Sequence, residues 1–287
     1  MWTCPACPAS PSVSLKQTDG CWRCENNHSY DIGKEGYVNL LLANQKHSKA
    51  PGDSKTMVNA RRQFLNQGHY QPLLMTLGKL IEQNIPDDDL NLYDAGCGEG
   101  YYLHEISTYL TQQGCRVTAA GNDISRIAIQ RAARKYPAAA FAVASNFHLP
   151  LAQASQRVLI QIFAPGASDE ISRVLCRNGL WLQITPAAGH LFQLRQAVYE
   201  VPEEHTESLQ IPDGFKQLEK QQLTFEFELE EISQRQDLLM MTPYYWAVEK
   251  KKQPGLLEKI PRLTADFSIR LLRKNTENVT QKADTQG

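Results

Sequence analysis

The alternation of strand-like and helix-like runs between residues 90 and 200 is the feature that most narrows the possible folds. Short apolar runs alternate there with amphipathic helical runs, an order typical of a mostly parallel sheet covered by helices on both faces. The sequence therefore predicts a doubly wound, Rossmann-like α/β domain. The predicted strands are 90–95, 116–121, 140–144, 157–163 and 180–184, and the predicted helices are 101–113, 125–136, 168–175 and 190–200.

Segments on either side of this region complete the predicted architecture. Upstream, Asp53 or Ser54 can cap a helix that ends near residue 66, and Pro72 suits the first turn of a second helix. Downstream, two runs that alternate polar and apolar residues flank a helical run. We expect these two runs to close one edge of the sheet. They span 222–230 and 266–272, with the helix at 234–241.

Composition and pattern divide the chain into four predicted parts. The N-terminal part is rich in Cys, Pro, Ser and Asn and has no helical or strand period, so it needs a covalent or metal staple to fold. A short apolar run and a basic loop follow, which we interpret as a linker. The predicted parts are a metal-binding module at 1–35, a linker with helices at 36–85, the main domain at 86–275 and a disordered tail at 276–287.

Four of the seven cysteines lie close together near the N-terminus. Cys4 and Cys7 form one chelating pair, and Cys24 with His28 forms a second. Cys21 with Cys24 is an alternative second pair, which would give a four-cysteine site. In both cases protein ligands fill all four tetrahedral positions, as in structural zinc sites. The sequence therefore predicts a zinc ion that stabilises the fold of the N-terminal module.

A glycine-rich turn, Asp94-Ala95-Gly96-Cys97-Gly98-Glu99-Gly100, joins the first predicted strand of the main domain to a helix. Its glycines allow a ligand to approach the backbone closely. The acid at Asp94 would repel a pyrophosphate and attract a cationic amino-acid group. Asp123 ends the next strand, where a carboxylate commonly binds ribose hydroxyls. Together Asp94, Gly96, Gly98 and Asp123 predict a site for S-adenosylmethionine.

Charge and hydropathy limit the partners of the chain. The net charge of −1 provides no general attraction for a polyanion, so a nucleic acid would have to bind local basic clusters. Such clusters are also compatible with an ordinary solvated surface. Because no secretory signal or bilayer-length apolar run is present, we expect a cytoplasmic protein with no membrane partner. The basic clusters are Lys46, His47, Lys49, Arg61 and Arg62, and residues 250–252.

Several stretches of the sequence resemble the bacterial 23S rRNA guanine-N1 methyltransferases of the RlmA type, closest to the type I branch. Besides the metal-binding pairs, the matching stretches are 34–41, 51–54, 60–65, 68–73, 96–102 and 241–246. The resemblance covers most of the chain. It implies a class I S-adenosylmethionine-dependent methyltransferase with an N-terminal zinc-ribbon-like module, acting on N1 of a guanine in an rRNA hairpin loop.

The resemblance also implies roles for individual residues. Zinc would be bound by Cys4, Cys7, Cys24 and His28, which leaves Cys21 outside the site. The cofactor would be contacted by Tyr70, by the Gly98-Glu99 pair and by His190. Considered without the resemblance, Tyr70 would be a packing residue and His190 would begin a helix.

One pair of residues departs from the family pattern. Ser145-Asn146 stands where many methyltransferases of this class carry an acid that binds the adenine amino group. We therefore expect adenine to be bound by backbone groups or by Asn146.

Methylation of guanine at N1 needs a proton acceptor, because N1 carries a proton at neutral pH. By chemical type the candidates are Asp53, Glu99, His148 and His190, in no order of preference. Two other functions stay open: a methyltransferase of small molecules or proteins whose zinc module only supports the fold, and a zinc-ribbon RNA-binding protein with a vestigial cofactor site. A monomer and a homodimer are both compatible with the sequence.

Overall fold

A computed structural model describes residues 1–8, 11–45, 52–85, 89–205 and 210–275. The predicted tail and the basic residues Lys46, His47 and Lys49 lie outside these ranges. The strands are β1 (Lys16–Thr18), β2 (Cys21–Arg23), β3 (Ser29–Asp31), β4 (Val38–Asn39), β5 (Asp89–Ala95), β6 (Arg116–Asp123), β7 (Ala140–Val143), β8 (Gln156–Ile162), β9 (Leu175–Pro186), β10 (Phe215–Glu228) and β11 (Arg262–Lys274). The helices are α1 (Lys55–Asn66), α2 (Gln71–Asn84), α3 (Tyr101–Gln112), α4 (Arg126–Lys135), α5 (Ser168–Val174), α6 (Phe192–Val198), α7 (Ile232–Met240) and α8 (Gln253–Leu257).

Among the described residues, eight strands form one sheet in the order β10-β11-β9-β8-β5-β6-β7-β4. Strands β4 to β9 pair in parallel, whereas β11 is antiparallel to both β9 and β10. The chain enters the sheet at the edge strand β4 and continues with β5 at the centre. From β5 it winds back towards β4 through β6 and β7, and it then continues from β8 towards the other edge. This topology confirms the predicted Rossmann-like fold, and β10 and β11 close the edge as the alternating pattern predicted.

The central strands form the core of the domain. Tyr93 of β5 and Leu159 of β8 have no exposed surface, and Leu182 of β9 is equally buried. Helix α1 begins after Ser54, whose hydroxyl accepts a hydrogen bond from the Met57 amide at 3.4 Å. Ser54 is therefore the cap, and its neighbour Asp53 is left available for other contacts. None of the helices within the described ranges is long and apolar enough to cross a membrane.

The N-terminal module contains a three-stranded antiparallel sheet, β1-β2-β3, which the sequence analysis did not predict. Each of these strands has only three residues, which is too short to show a periodic pattern. The module packs on the main domain through Trp2, which is buried and forms a bridge with Leu151. The Thr3 amide also donates to the Pro150 carbonyl at 2.9 Å.

The stretch that we interpreted as a linker is partly built into the main sheet, so that interpretation was wrong for this part. Strand β4 pairs in parallel with β7, placing Val38 beside Ala142. The Leu40 amide continues the pairing by donating to the Val143 carbonyl at 2.9 Å. Tyr37 and Leu40 are buried. The apolar run is thus long enough to add an edge strand. The free energy gained by burying its side chains exceeds the conformational entropy that an unstructured linker would keep.

Candidate cofactor site and metal cluster

The glycine-rich turn connects the carboxyl end of β5 to α3. Gly96 and Gly98 both have positive φ, at +87° and +55°. A Cβ atom at Gly96 would lie 2.5 Å from the Cβ of Ala164, whereas a Cβ at Gly98 would meet nothing within 4 Å. Gly96 therefore allows the loop after β8 to pack against the turn. Gly98 leaves an open space beside the backbone.

The two predicted acids lie at the ends of neighbouring strands. Asp94 is almost completely buried, and its Oδ1 has no hydrogen-bond partner among the described residues. Burial, and then the charge of nearby Asp123, raise the pKa of Asp94 well above its usual value. Asp123 accepts hydrogen bonds from the amides of Gly98 at 3.0 Å and Ser125 at 2.7 Å. Burial raises the pKa of Asp123, and these two backbone bonds oppose that effect.

Glu99 is a third buried acid in the same turn. It is 2% exposed, and neither carboxylate oxygen has a hydrogen-bond partner among the described residues. Burial raises the pKa of Glu99 to about 7, although the charges of Lys135, Arg62, Arg131 and Arg61 act in the opposite direction. Buried acceptors without partners are rare in folded proteins, which suggests that a ligand with donors completes this region.

Two cavities lie beside the turn. The inner cavity has a volume of about 50 Å³, and its lining includes Tyr70, Glu99 and Met241. The outer cavity has a volume of about 240 Å³, and its lining includes Asp53, Asp123, Ser145, Asn146 and Phe147. Their junction is formed by the residues that line both, which are Arg61, Gly96, Gly98, Ile162 and Phe163.

The resemblance placed both Tyr70 and His190 at the cofactor, but only Tyr70 lines one of the two cavities. Tyr70 is buried, and its hydroxyl, in the wall of the inner cavity, has no partner among the described residues. His190 lines neither cavity. Its ring lies among those of Tyr70, Phe163 and Phe267, at centroid distances of 6.4, 5.8 and 4.9 Å. Its Nδ1 accepts a hydrogen bond from the Asp266 amide at 3.3 Å, and burial lowers its pKa to about 3.

The side chain of Asn146 is held by the protein itself. Its amide nitrogen donates to the Pro165 carbonyl at 2.9 Å, and its oxygen accepts from the Asn122 side chain at 2.8 Å. The Ser145 hydroxyl accepts from the Phe147 amide at 3.2 Å. Of the two alternatives for adenine, backbone groups of this segment are therefore favoured over the Asn146 side chain.

The predicted metal ligands converge in the N-terminal module. The ligand atoms of Cys4, Cys7, Cys24 and His28 all lie within 4.8 Å of one another. The Cys7 and Cys24 sulfurs are 3.9 Å apart, and His28 Nδ1 lies 3.4 Å from the Cys7 sulfur. With metal–sulfur bonds of about 2.3 Å, tetrahedral ligands should be roughly 3.8 Å apart. The four residues therefore fit a zinc ion.

Cys21 lies outside this cluster, which decides between the two arrangements left open by spacing. Its sulfur contacts the Thr18 hydroxyl at 3.1 Å in the turn between β1 and β2. Within the cluster, burial favours the neutral thiol of Cys24. Hydrogen bonds from the backbone of His28 and Asn26 outweigh it and lower the pKa of Cys24 to about 7.

Comparison with known proteins identifies the family. The zinc-ribbon family described as RlmA, N-terminal, matches residues 2–49. A candidate 23S rRNA (guanine-N(1)-)-methyltransferase of Micromonospora griseorubida is 36% identical over 212 residues, which cover 67% of this chain and 67% of that protein. The chain belongs to the family of RlmA-type 23S rRNA (guanine-N1) methyltransferases.

Two further relatives extend the match. The 23S rRNA (guanine(748)-N(1))-methyltransferase of Streptomyces fradiae is 34% identical, covering 68% of this chain and 66% of that protein. The candidate 23S rRNA (guanine-N(1)-)-methyltransferase YxjB of Bacillus subtilis is 25% identical and covers 94% of this chain and 95% of that protein. The RlmA-type ribbon match also extends beyond residue 35 and includes β4, in agreement with the packing of that segment.

The structure separates the four candidate proton acceptors of this RlmA-type chain. Asp53 and Glu99 line the outer and the inner cavity, respectively. His148 lines a different cavity, beside Cys4 and Cys7 of the ribbon. His190 lines neither of the two cavities beside the glycine-rich turn. Asp53 and Glu99 are therefore the two candidate proton acceptors that the fold places at these cavities.

Three residues at the junction of the cavities were not predicted to lie there. One had been assigned another role, and two had not been considered. Arg61, which we assigned to a basic cluster for RNA, forms a salt bridge with Asp53 at 2.7 Å and donates to the Met241 carbonyl at 3.2 Å. Ile162 and Phe163 were not considered. Their position directly after a parallel strand was the available signal, because open α/β sheets bind ligands at the carboxyl ends of their strands.

Proposed function

We propose that this RlmA-type chain transfers a methyl group from S-adenosylmethionine to N1 of a guanine in a hairpin loop of 23S rRNA. The observation that carries the proposal is a set of buried acceptors around an open, glycine-lined cavity that find no partner in the part of the chain that the structure describes. Two relatives with names that specify this reaction are 34–36% identical over about two thirds of the chain.

The chemistry of the cavities fits the cofactor. Its ammonium and sulfonium groups are cationic, and Glu99 of the inner cavity offers two carboxylate oxygens that have no partner among the described residues. Asp94 lines neither cavity, but it lies in the strand that leads into the turn, and its Oδ1 also has no partner among the described residues. Asp123 accepts two backbone hydrogen bonds, and its oxygens retain lone pairs for ribose hydroxyls. When bound, S-adenosylmethionine supplies an electrophilic methyl group. We assign Tyr70, Asp94, Gly96, Gly98, Glu99 and Asp123 to its binding, with His190 supporting the ring of Tyr70.

The protein itself must position the base and remove its proton. Asp53 is about one third exposed beside the outer cavity and is fixed by Arg61, so it can be reached by a base that enters from solvent. Glu99 is fully enclosed and is better placed for the cationic end of the cofactor. We therefore propose Asp53 as the proton acceptor. Asp53→Asn should lower the single-turnover rate at saturating cofactor while leaving the cofactor Kd unchanged, and an unchanged rate would exclude this role.

Zinc and the N-terminal module have a supporting role in this proposal. In this proposal residues 1–35 form the zinc-binding module, and residues 86–275 form the main domain with most of the cofactor site. The segment 36–85 between them contributes β4 to the main sheet and Tyr70 to the inner cavity. Cys4, Cys7, Cys24 and His28 bind a structural zinc ion, whose four protein ligands leave no position for water.

The direct test uses the zinc-loaded full chain, S-adenosylmethionine with a labelled methyl group, and transcribed 23S rRNA. We expect one methylated guanine, found by mass mapping, and loss of transfer in Asp123→Ala. Cofactor binding without transfer to rRNA would favour a small molecule or protein as substrate. Failure to bind the cofactor would favour the non-catalytic RNA-binding alternative.

The RNA partner can be tested separately through the exposed Arg62 on α1. If Arg62 contacts a phosphate, Arg62→Glu should weaken rRNA binding and reduce the salt slope by about 1. The matched control is Arg177→Glu, which changes an exposed arginine near the amino end of β9, on the edge of the sheet away from the cavities. This variant should leave the salt slope unchanged. Equal slopes for wild type and Arg62→Glu would refute the contact.

A further inference from the structure

Phe163, the residue directly after β8, has an unusual backbone conformation. Its φ of +54° lies in the left-handed region, which L residues with bulky side chains rarely adopt. The conformation is held by its surroundings: the Phe163 amide donates to the Ile184 carbonyl at 3.0 Å, and the Pro165 carbonyl accepts the Asn146 side chain at 2.9 Å. Backbone strain that is maintained in this way concentrates at functional sites.

This conformation presents an aromatic ring that is only partly covered. The ring packs near those of Phe267 and His190, at centroid distances of 5.5 and 5.8 Å, and the residue is still 37% exposed. Exposure of a large apolar ring to water is unfavourable. A single exposed ring is ordinary at a protein surface, and it is the strained backbone presenting this ring that suggests contact with a ligand.

The position of Phe163 indicates which ligand this is. It is one of the residues that line both the inner and the outer cavity. The following step rests on the proposed function: if the inner cavity holds the methionine end of the cofactor and the outer cavity the adenosine end, the sulfonium that joins them belongs at the junction. Phe163 lines this junction and is partly exposed to solvent, so its ring lies next to the transferable methyl group.

We propose that Phe163 is a substrate-positioning residue whose ring stacks on the target guanine and holds it at the junction of the two cavities. Aromatic rings stack on bases with little dependence on sequence, so Phe163 would set the position of the base while other contacts select it. Phe147 is also exposed, but it lines the outer cavity and not the inner one, and it is assigned to the adenosine end.

The test compares four variants in single-turnover methylation of transcribed 23S rRNA at saturating cofactor. Phe163→Leu keeps apolar packing but removes the aromatic face. Phe163→Gly removes the ring and also relieves the positive φ, so it should fold even if the leucine variant does not. Phe163→Tyr and Phe163→Trp retain an aromatic face and serve as matched controls. Binding of S-adenosylhomocysteine is measured for each variant by calorimetry.

We expect the leucine and glycine variants to reduce the rate or the apparent RNA affinity by about 10- to 100-fold, the range of one lost base stack. The tyrosine and tryptophan variants should retain wild-type behaviour, and the calorimetric Kd should change little in all four. Wild-type rates in the leucine and glycine variants would overturn the assignment. So would a loss of cofactor affinity as large as the loss of rate. A wild-type protein that methylates no rRNA would instead contradict the proposed function.

Discussion

The buried carboxyl of Glu99 should make the stability of the cofactor-free protein depend on pH. Its pKa is about 7, against 4.5 for an ordinary glutamate. Each tenfold change in proton affinity corresponds to about 1.4 kcal/mol, so ionising Glu99 in the folded state costs roughly 3 kcal/mol. A pKa that is higher in the folded than in the unfolded chain gives full stability below pH 4.5, which is then lost as the pH rises to about 7.

Glu99→Gln removes the ionisation and keeps the shape of the side chain. Relative to wild type, this variant should gain stability between about pH 5 and about pH 8, up to roughly 3 kcal/mol. The assay is urea unfolding of the zinc-loaded, cofactor-free protein at both pH values. Glu219→Gln, which changes an exposed glutamate on β10, is the matched control and should give the same small effect at both. A difference for Glu99→Gln that does not change with pH would refute the argument.

The same reasoning predicts a signature of cofactor binding. A cationic ligand in the inner cavity stabilises the ionised form of Glu99 and lowers its pKa, so binding near neutral pH should release a proton. Calorimetry in two buffers of different ionisation enthalpy measures that release. Equal heats for wild type in both buffers would indicate that the cationic end of the cofactor does not lie beside Glu99.

Three further outcomes follow from the geometry. Cys24→Ser should abolish stoichiometric zinc binding, measured with a metal indicator after dialysis, whereas Cys21→Ser should retain it because its sulfur lies outside the cluster. Asp123→Ala removes the acceptor of two backbone hydrogen bonds and should weaken cofactor binding by at least about tenfold in calorimetry. Gly96→Ala places a Cβ 2.5 Å from Ala164 and should destabilise the protein by more than about 2 kcal/mol in urea unfolding. Gly98→Ala meets no atom within 4 Å and should cost only the strain of a positive φ, about 1 kcal/mol; equal losses for the two glycines would contradict this account.

The parts of the fold that were predictable are those with a local signal. The alternation of strands and helices specified the parallel sheet, and the two alternating runs near the C-terminus specified its antiparallel edge. Asp94 and Asp123 could be assigned to one site because the carboxyl ends of neighbouring parallel strands meet at the same edge of a sheet. Cysteine spacing likewise found the metal cluster, although it could not decide between Cys21 and His28.

The parts that were not predictable depend on tertiary contacts. Strands of two or three residues, such as β1 and β4, are stabilised by their neighbours and carry no period of their own. Arg61 looked like a solvated cation until the fold brought Asp53 and the Met241 carbonyl to its side chain. The importance of Phe163 lies in a backbone angle and in two adjoining cavities, neither of which a residue pattern encodes.

The packing of the N-terminal module also connects the metal cluster to the cofactor site. The module is held at both ends: Trp2 and Thr3 join the loop around Leu151, and β4, the strand that directly follows the module, pairs with β7. Strand β7 in turn pairs with β6, where Val143 lies beside Asp123. Because a body attached at two separated points cannot rotate freely about either, the module should act as a fixed extension of the sheet. Zinc would then support the site indirectly, by keeping the module folded against the edge of the sheet, without touching the reacting atoms.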